Sequence, residues 1–90
     1  MQGLWHIGVV HIPTNPGQFG ISLPERAEVV EVESGGSLVA LTYLAPVNAN
    51  WVEVDVAITW AGASISADMR YLGKFRRSDG RDYYVFMRRE

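Results

Sequence analysis

The chain has 90 residues, of which 48% are hydrophobic, and a formal net charge of −2 at pH 7. This length and composition argue against a disordered chain and predict a single small domain over residues 1–90. The absence of cysteine excludes a disulfide framework and a thiolate metal site. No apolar run approaches the roughly 20 residues of a membrane helix, and the N-terminus lacks a signal-peptide pattern. We therefore expect a cytoplasmic protein without a membrane partner.

Charge is distributed unevenly along the chain. Residues 1–69 contain one cation, Arg26, and seven carboxylates, which gives this part a net charge of −6. Residues 70–90 contain seven cations and three carboxylates, which gives +4. The division predicts either a basic face for an anionic partner or complementary surfaces that meet within or between subunits, as in a homodimer.

Alternation of apolar and polar side chains predicts seven short strands. Loops rich in proline, glycine and asparagine separate several of them, and residues 61–68 form a small, polar connection. No stretch has the periodicity of a helix. In chain order, the predicted strands cover residues 4–12, 19–23, 27–33, 38–44, 51–60, 69–77 and 82–89.

The fifth of these strands has the most regular pattern. Its sequence is WVEVDVAITW, in which every even-numbered position from Val52 to Trp60 is apolar, whereas Glu53 and Asp55 occupy odd positions. This pattern predicts one buried face and one wetter face, and the β-branched residues favour the same assignment. The other strands are therefore expected to cover its apolar face.

Two glycine-containing segments predict tight hairpin turns, Gly35-Gly36 and Asp79-Gly80. A two-residue turn at Asp79-Gly80 would set Arg77 opposite Asp82, whereas a three-residue turn would move each pairing by one. The strands and turns together predict an all-β fold. We expect about seven short, mostly antiparallel strands in a small sandwich or barrel.

No motif typical of catalysis or metal binding is found. His6 and His11 are five residues apart in one strand, so they face opposite sides and cannot share a metal ion. Glu53 and Asp55 would lie about 7 Å apart on one face, a spacing compatible with acid–base catalysis or a divalent ion. An exposed strand face explains them better, because no nucleophile elbow or phosphate loop accompanies them. We predict a non-enzymatic protein without metal or cofactor.

The C-terminal hairpin interleaves aromatic and basic side chains. Such surfaces hold nucleotides or single-stranded nucleic acid by stacking and phosphate pairing. Two observations favour the alternative that the aromatic residues form the core and the arginines face solvent: a small domain needs these rings inside, and the whole chain is acidic, with a pI of about 5.6. The candidate binding residues are Arg70, Tyr71, Lys74, Arg76, Tyr84 and Arg88.

Two segments, LPERAEVVEV at residues 23–32 and RYLGKF at residues 70–75, give the chain its resemblance to a known family. It resembles a family of small uncharacterised bacteriophage proteins with an LP-x-x-A step into a valine-rich strand and an R-Y-[IL]-G-x-F strand before a final aromatic strand. A T-G-H turn of that family corresponds here to Ala61-Gly62-Ala63. The resemblance implies a phage context and a location in the host cytoplasm. The family has no established activity that the resemblance would extend to this chain.

The sequence thus leads to three functional hypotheses. The first is a non-enzymatic, phage-encoded interaction protein that binds a host or phage protein and possesses edges suited to homodimer formation. The second is a ligand-binding module, or sponge, that sequesters a nucleotide-type anion or single-stranded nucleic acid on the C-terminal hairpin. The third and weakest is a structural or assembly component of the virion.

Overall fold

A computed structural model describes residues 3–88 and contains seven antiparallel strands in two sheets. One sheet has the order β1-β4-β3 and the other the order β2-β5-β7-β6. The all-β prediction is confirmed, and the two separate sheets form a sandwich. The strands are β1 (Trp5–Pro13), β2 (Gly17–Pro24), β3 (Glu28–Gly35), β4 (Leu38–Pro46), β5 (Trp51–Trp60), β6 (Met69–Arg76) and β7 (Asp82–Arg88). Arg89, assigned to the last strand by the sequence, lies outside the described residues.

The core lies between the sheets and is built from alternate residues of the central strands. In β4 and β7 every second side chain is buried, whereas the side chains between them face outward. This period of two is expected for strands covered on one face only. The buried core residues are Ile12, Leu23, Val39, Leu41, Tyr43, Ala45, Val56, Ile58, Phe75, Tyr83, Val85 and Met87.

The alternation predicted for β5 holds in its middle. Val56 and Ile58 are buried, and Val52 and Val54 are half-buried. Trp60 is 54% exposed, although its cross-strand partner Tyr83 belongs to the core. The burial expected at this last apolar position is therefore not found.

Two glycines allow close approach in the core. The ring of Tyr43 lies across Gly8 of β1, where an added Cβ would be 2.3 Å from Cζ of the ring. An added Cβ at Gly73 of β6 would be 2.9 Å from a methyl carbon of Val32 in β3. These positions are therefore restricted to glycine by space, because ordinary contacts between carbon atoms are about 3.5–4.0 Å.

The C-terminal hairpin has a three-residue turn. Gly80 N donates a hydrogen bond to Arg77 O (2.9 Å), and Arg77 N donates one to Arg81 O (3.0 Å). Gly80 has a φ of 81°, which suits the left-handed position that ends such turns. The pairing of Arg77 with Asp82 was therefore wrong by one residue, since Arg76 is the partner of Asp82.

A bulge between Tyr71 and Gly73 shifts the hairpin register once more. Beyond it Tyr71 pairs with Phe86, and Arg70 pairs with Met87. Because paired residues share a face of the sheet, the shift decides which hairpin side chains meet the core. Over residues 3–88 we find no helix with the length and apolarity to cross a bilayer.

Candidate functional site

Five of the six candidate binding residues of the C-terminal hairpin lie on the outer face of the four-stranded sheet, whereas Arg70 faces inward. Among the aromatic residues of the hairpin, Phe75 and Tyr83 point into the core, whereas Tyr71 and Tyr84 lie on that outer face. The expectation that the aromatic rings form the core is therefore correct for only some of them. We call the outer surface formed by Tyr71, Lys74, Arg76, Tyr84, Phe86 and Arg88 the hairpin face.

Three aromatic rings form a cluster on the hairpin face. The ring centroids of Tyr71 and Phe86 are 5.5 Å apart, and those of Tyr71 and Tyr84 are 6.3 Å apart. Tyr71 is 53% exposed. The cluster offers an aromatic surface to solvent, as the stacking hypothesis requires.

The cations of the hairpin face are paired with carboxylates of the same chain. Arg76 Nε donates to Asp82 Oδ1 (3.0 Å), and Lys74 Nζ lies 3.6 Å from the other oxygen of that carboxylate. The hydrogen bond from Arg76 holds the pKa of Asp82 below its ordinary value of 3.8. A phosphate at this place would have to compete with a carboxylate that both cations already contact.

Arg88 is held by two carboxylates from distant parts of the chain. Its Nε donates to Asp55 Oδ2 (3.1 Å), and its Nη1 contacts Asp68. The hydrogen bond to Asp55 holds the pKa of Arg88 above its ordinary value. Asp55 is one member of the carboxylate pair considered for catalysis, and the other, Glu53, packs its side chain over Gly20. The pair thus lies on an open sheet face with one member engaged in an ion pair.

Arg70 differs from the other candidates because it faces inward. Its cross-strand partner Met87 belongs to the core, and the bulge in β6 places Arg70 on the same side. There it lines a cavity of about 500 Å³ at the end of the sandwich where β2 passes to β3. We call this space the arginine cavity. Its lining residues are Leu23, Pro24, Arg26, Ala27, Glu28, Val54, Arg70, Met87 and Arg88.

Arg26 reaches this cavity from the turn between β2 and β3. Ala27 N donates to Pro24 O (3.0 Å), which closes the turn, and Arg26 has a φ of 65°. A left-handed backbone costs an L-residue about 1–2 kcal/mol. Glu25 N donates to Asn50 O (2.6 Å) and fixes the turn to the start of β5. The sequence did not identify Arg26 as a site residue, although it is the only cation in residues 1–69.

A second surface lies on the opposite side of the molecule. On the outer face of the three-stranded sheet, Trp5, Ile7 and Val9 of β1 are 58%, 70% and 53% exposed. They pair with outward residues of β4, so that Ile7 lies beside Leu44. We call the surface of Trp5, Ile7, Val9, Leu38, Leu44 and Pro46 the β1 face.

Acidic side chains border the β1 face on one side. Glu28, Glu31 and Glu33 of β3 pair with Leu44, Thr42 and Ala40 of β4, which places the three carboxylates on the same outer surface. The surface therefore has an apolar half formed by β1 and β4 and an acidic half formed by β3.

The four edge strands of the two sheets differ in how they are protected. Natural edge strands avoid unwanted pairing through charges, prolines and bulges. β3 carries glutamates and a bulge, and β6 carries arginine, lysine and a bulge. β1 and β2 contain no carboxylate, lysine or arginine, and each ends at a proline, Pro13 or Pro24. Of these two weakly protected edges, β1 has the larger exposed apolar side chains.

His6 and His11 lie on opposite faces of β1, as their spacing predicts. His6 pairs with the buried Ala45 and meets the edge of the Tyr43 ring at a centroid distance of 6.1 Å, whereas His11 pairs with Ala40 on the outer face. Within residues 3–88, no three histidine or carboxylate side chains gather as a group that would hold a metal ion.

Comparison with family models, curated proteins and solved structures finds no match to this chain. The resemblance to small bacteriophage proteins therefore stays a prediction, and the function has to be argued from the surfaces themselves.

Proposed function

We propose that this protein is a non-enzymatic interaction protein that binds a partner protein through the β1 face. The observation that carries the proposal is the exposure of Trp5, Ile7 and Val9 in one row on an edge strand without carboxylate, lysine or arginine. In line with the phage resemblance, we propose a phage-encoded protein that acts in the host cytoplasm on a host or phage protein.

The β1 face has the composition of a binding surface. Contiguous apolar patches on a protein surface mark interaction sites, and tryptophan is enriched among residues that dominate binding energy. Complete burial of an isoleucine or valine side chain contributes about 1.5–3 kcal/mol. Ile7 and Val9 are 70% and 53% exposed, so a partner that covers them would gain the corresponding part of this free energy, against the cost of association.

The edge of β1 also offers main-chain hydrogen bonds. A partner strand that adds to this edge would extend the three-stranded sheet, which is a common mode of peptide recognition. A second copy of the chain satisfies the same requirement, since two β1 edges would pair across a two-fold axis. Homodimer formation is therefore part of the proposal. Native mass spectrometry of the purified protein would detect it as a species of twice the monomer mass.

The acidic border specifies the charge of the partner. Glu28, Glu31 and Glu33 would be matched by lysine or arginine at the edge of the partner's apolar surface. Because exposed charges are screened by salt, we expect association to slow as ionic strength rises, while the apolar contact persists.

The non-enzymatic part of the proposal is supported by the placement of the two carboxylates of β5. Glu53 and Asp55 lie on an open sheet face rather than in a cleft, and Arg88 pairs with Asp55. A general acid or base requires a substrate position beside it and a pKa suited to proton transfer. An exposed carboxylate engaged with arginine is poorly suited to that role.

The test compares Ile7→Lys with the matched control Ile65→Lys. Both positions are exposed, but Ile65 lies in the connection between β5 and β6, away from the β1 face. Wild type and both variants are immobilised and exposed in parallel to bacterial lysate, and bound proteins are quantified by mass spectrometry. A partner enriched by wild type and Ile65→Lys and lost with Ile7→Lys is expected. Native mass spectrometry of each variant reports self-association.

Equal capture by Ile7→Lys and wild type would contradict the proposal. So would the absence of both a specific partner and a dimer at adequate protein concentration. Circular dichroism shows whether each variant is folded, so that loss of binding is not confused with loss of structure.

A further inference from the structure

The arginine cavity combines an apolar floor with a cationic rim. Leu23, Val54 and Met87 supply the floor, and Leu23 and Met87 belong to the core. Its volume of about 500 Å³ falls in the range of small-molecule sites. The residues come from four segments of the chain that meet only in the folded protein.

The charge on the rim favours an anion. Within residues 3–88, the cavity is lined by Arg26, Arg70 and Arg88 together with one carboxylate, Glu28. Arg88 is already bonded to Asp55 and Asp68. Among residues 3–88, no carboxylate lies within 4.0 Å of the guanidinium of Arg26 or Arg70. These two cations therefore keep their hydrogen-bond donors available within the part of the chain that the structure describes.

The backbone around Arg26 supports a role beyond packing. An arginine in the left-handed region is uncommon, because glycine or asparagine occupies this turn position at lower cost. Residues kept in such conformations concentrate at binding sites. Here the strained residue is also the only cation in residues 1–69, and it lines the same cavity as Arg70.

We propose that the arginine cavity binds a small phosphate monoester with an aliphatic body. The planar guanidinium groups of Arg26 and Arg70 match the oxygens of a phosphate, and such charge-assisted bonds are the stronger ones. The aliphatic body contacts Leu23, Val54 and Met87. No aromatic ring lines the cavity, so it offers no surface on which a nucleobase would stack.

This site shares only Arg88 with the hairpin face among the described residues. The candidates Arg70 and Arg88 contribute to it, whereas Tyr71, Lys74, Arg76 and Tyr84 do not line it. It shares Glu28 with the acidic border of the β1 face, but Trp5, Ile7 and Val9, which carry the proposed protein contact, lie on the outside of the other sheet and do not line it.

The test measures the affinity of monobutyl phosphate by calorimetry, with inorganic phosphate and n-butanol as partial ligands. We expect saturable binding of monobutyl phosphate that is tighter than that of inorganic phosphate, and no binding of butanol. Arg26→Gln and Arg70→Gln should each weaken it about tenfold or more, as expected for hydrogen bonds to a charged group. Glu28→Gln should strengthen it, because the carboxylate repels the phosphate.

The matched control is Arg81→Gln, which removes the same charge at the far end of the hairpin. Its affinity should equal that of wild type, since Arg81 follows the turn at the opposite ends of β6 and β7. Chemical-shift mapping on the wild-type protein should place the perturbed amides at Leu23, residues 26–28, Val54, Arg70 and Met87. This measurement does not depend on whether the variants fold.

Three outcomes would overturn the proposal. The first is no saturable binding of monobutyl phosphate at about 10 mM, where even a ligand with a millimolar Kd would be mostly bound. The second is equal weakening by Arg81→Gln and Arg70→Gln, which would indicate general charge attraction. The third is binding on the hairpin face instead of the cavity. It would be seen either as chemical-shift changes confined to the hairpin face or as binding of an oligonucleotide that Lys74→Gln abolishes.

Discussion

Replacement of Gly8 by alanine tests the packing that holds β1 in place. The added Cβ would lie 2.3 Å from both Cζ and Oη of Tyr43. Ordinary contacts are about 3.5–4.0 Å, so the tip of the ring has to move by more than about 1 Å. Tyr43 is only 4% exposed and meets His6 and Trp51 edge-on, at centroid distances of 6.1 and 6.4 Å. The ring therefore has little room to retreat.

The expected loss of stability follows from two opposing effects. Overpacking of a well-packed core costs about 1–3 kcal/mol. Alanine also lowers the entropy of the unfolded chain, which stabilises a protein by about 0.4–1 kcal/mol where the backbone permits it. We expect a net decrease of about 1–2 kcal/mol in the free energy of unfolding. For a domain of this size, each kcal/mol corresponds to a fall in Tm of about 4–8 °C.

Urea and thermal unfolding followed by circular dichroism measure the effect. The matched control is Gly35→Ala, because no atom lies within 4 Å of a Cβ added there and its φ is not positive. Gly35→Ala should leave Tm nearly unchanged or raise it slightly. A Gly8→Ala variant as stable as wild type would refute the reasoning that Tyr43 packs against the bare backbone of β1.

Two further predictions concern charge and backbone conformation. Hydrogen bonds hold the pKa of Asp82 and Asp79 below 3.8, from Arg76 to the first and from the Arg81 amide to the second. Their contribution to stability is therefore present above pH 3.8 and is lost as pH falls through their folded-state pKa values. Tm should fall below about pH 4 more steeply for wild type than for Asp82→Asn, and equal slopes would contradict this. Arg26→Gly should raise the free energy of unfolding by about 0.5–1 kcal/mol, because it removes left-handed strain at some cost in unfolded-state entropy. The control is Arg26→Ala, which keeps the left-handed strain, and denaturant unfolding measures both variants. Equal stability of Arg26→Gly and Arg26→Ala would contradict the prediction.

The strands could be predicted because their signals are local. Alternation in β5 and the proline and glycine residues between strands depend only on neighbours in the sequence. The register of the C-terminal hairpin was less accessible, since Asp79-Gly80 fits both a two-residue and a three-residue turn. The bulge in β6 arises where Gly73 meets Val32 of the other sheet, a contact that the local sequence does not reveal.

The candidate site depended on contacts between distant residues. Arg88 meets Asp55 and Asp68, which precede it by 33 and 20 residues, so its ion pairs could not be read from the hairpin sequence. Arg70 faces inward because of the bulge, and Tyr83 rather than Tyr84 enters the core because of the register. Arg26 and Arg70 line the same cavity only because the turn between β2 and β3 carries Arg26 from one sheet toward the other.

The bare edge of β1 has a consequence for the amount of protein a cell can tolerate. Charges and bulges on β3 and β6 limit association with unintended neighbours, whereas β1 has neither. Copies made in excess of their partner would meet one another through the same row of Trp5, Ile7 and Val9. Production of this chain would then have to be matched in time and dosage to whatever covers β1, and overproduction alone should lower its soluble yield.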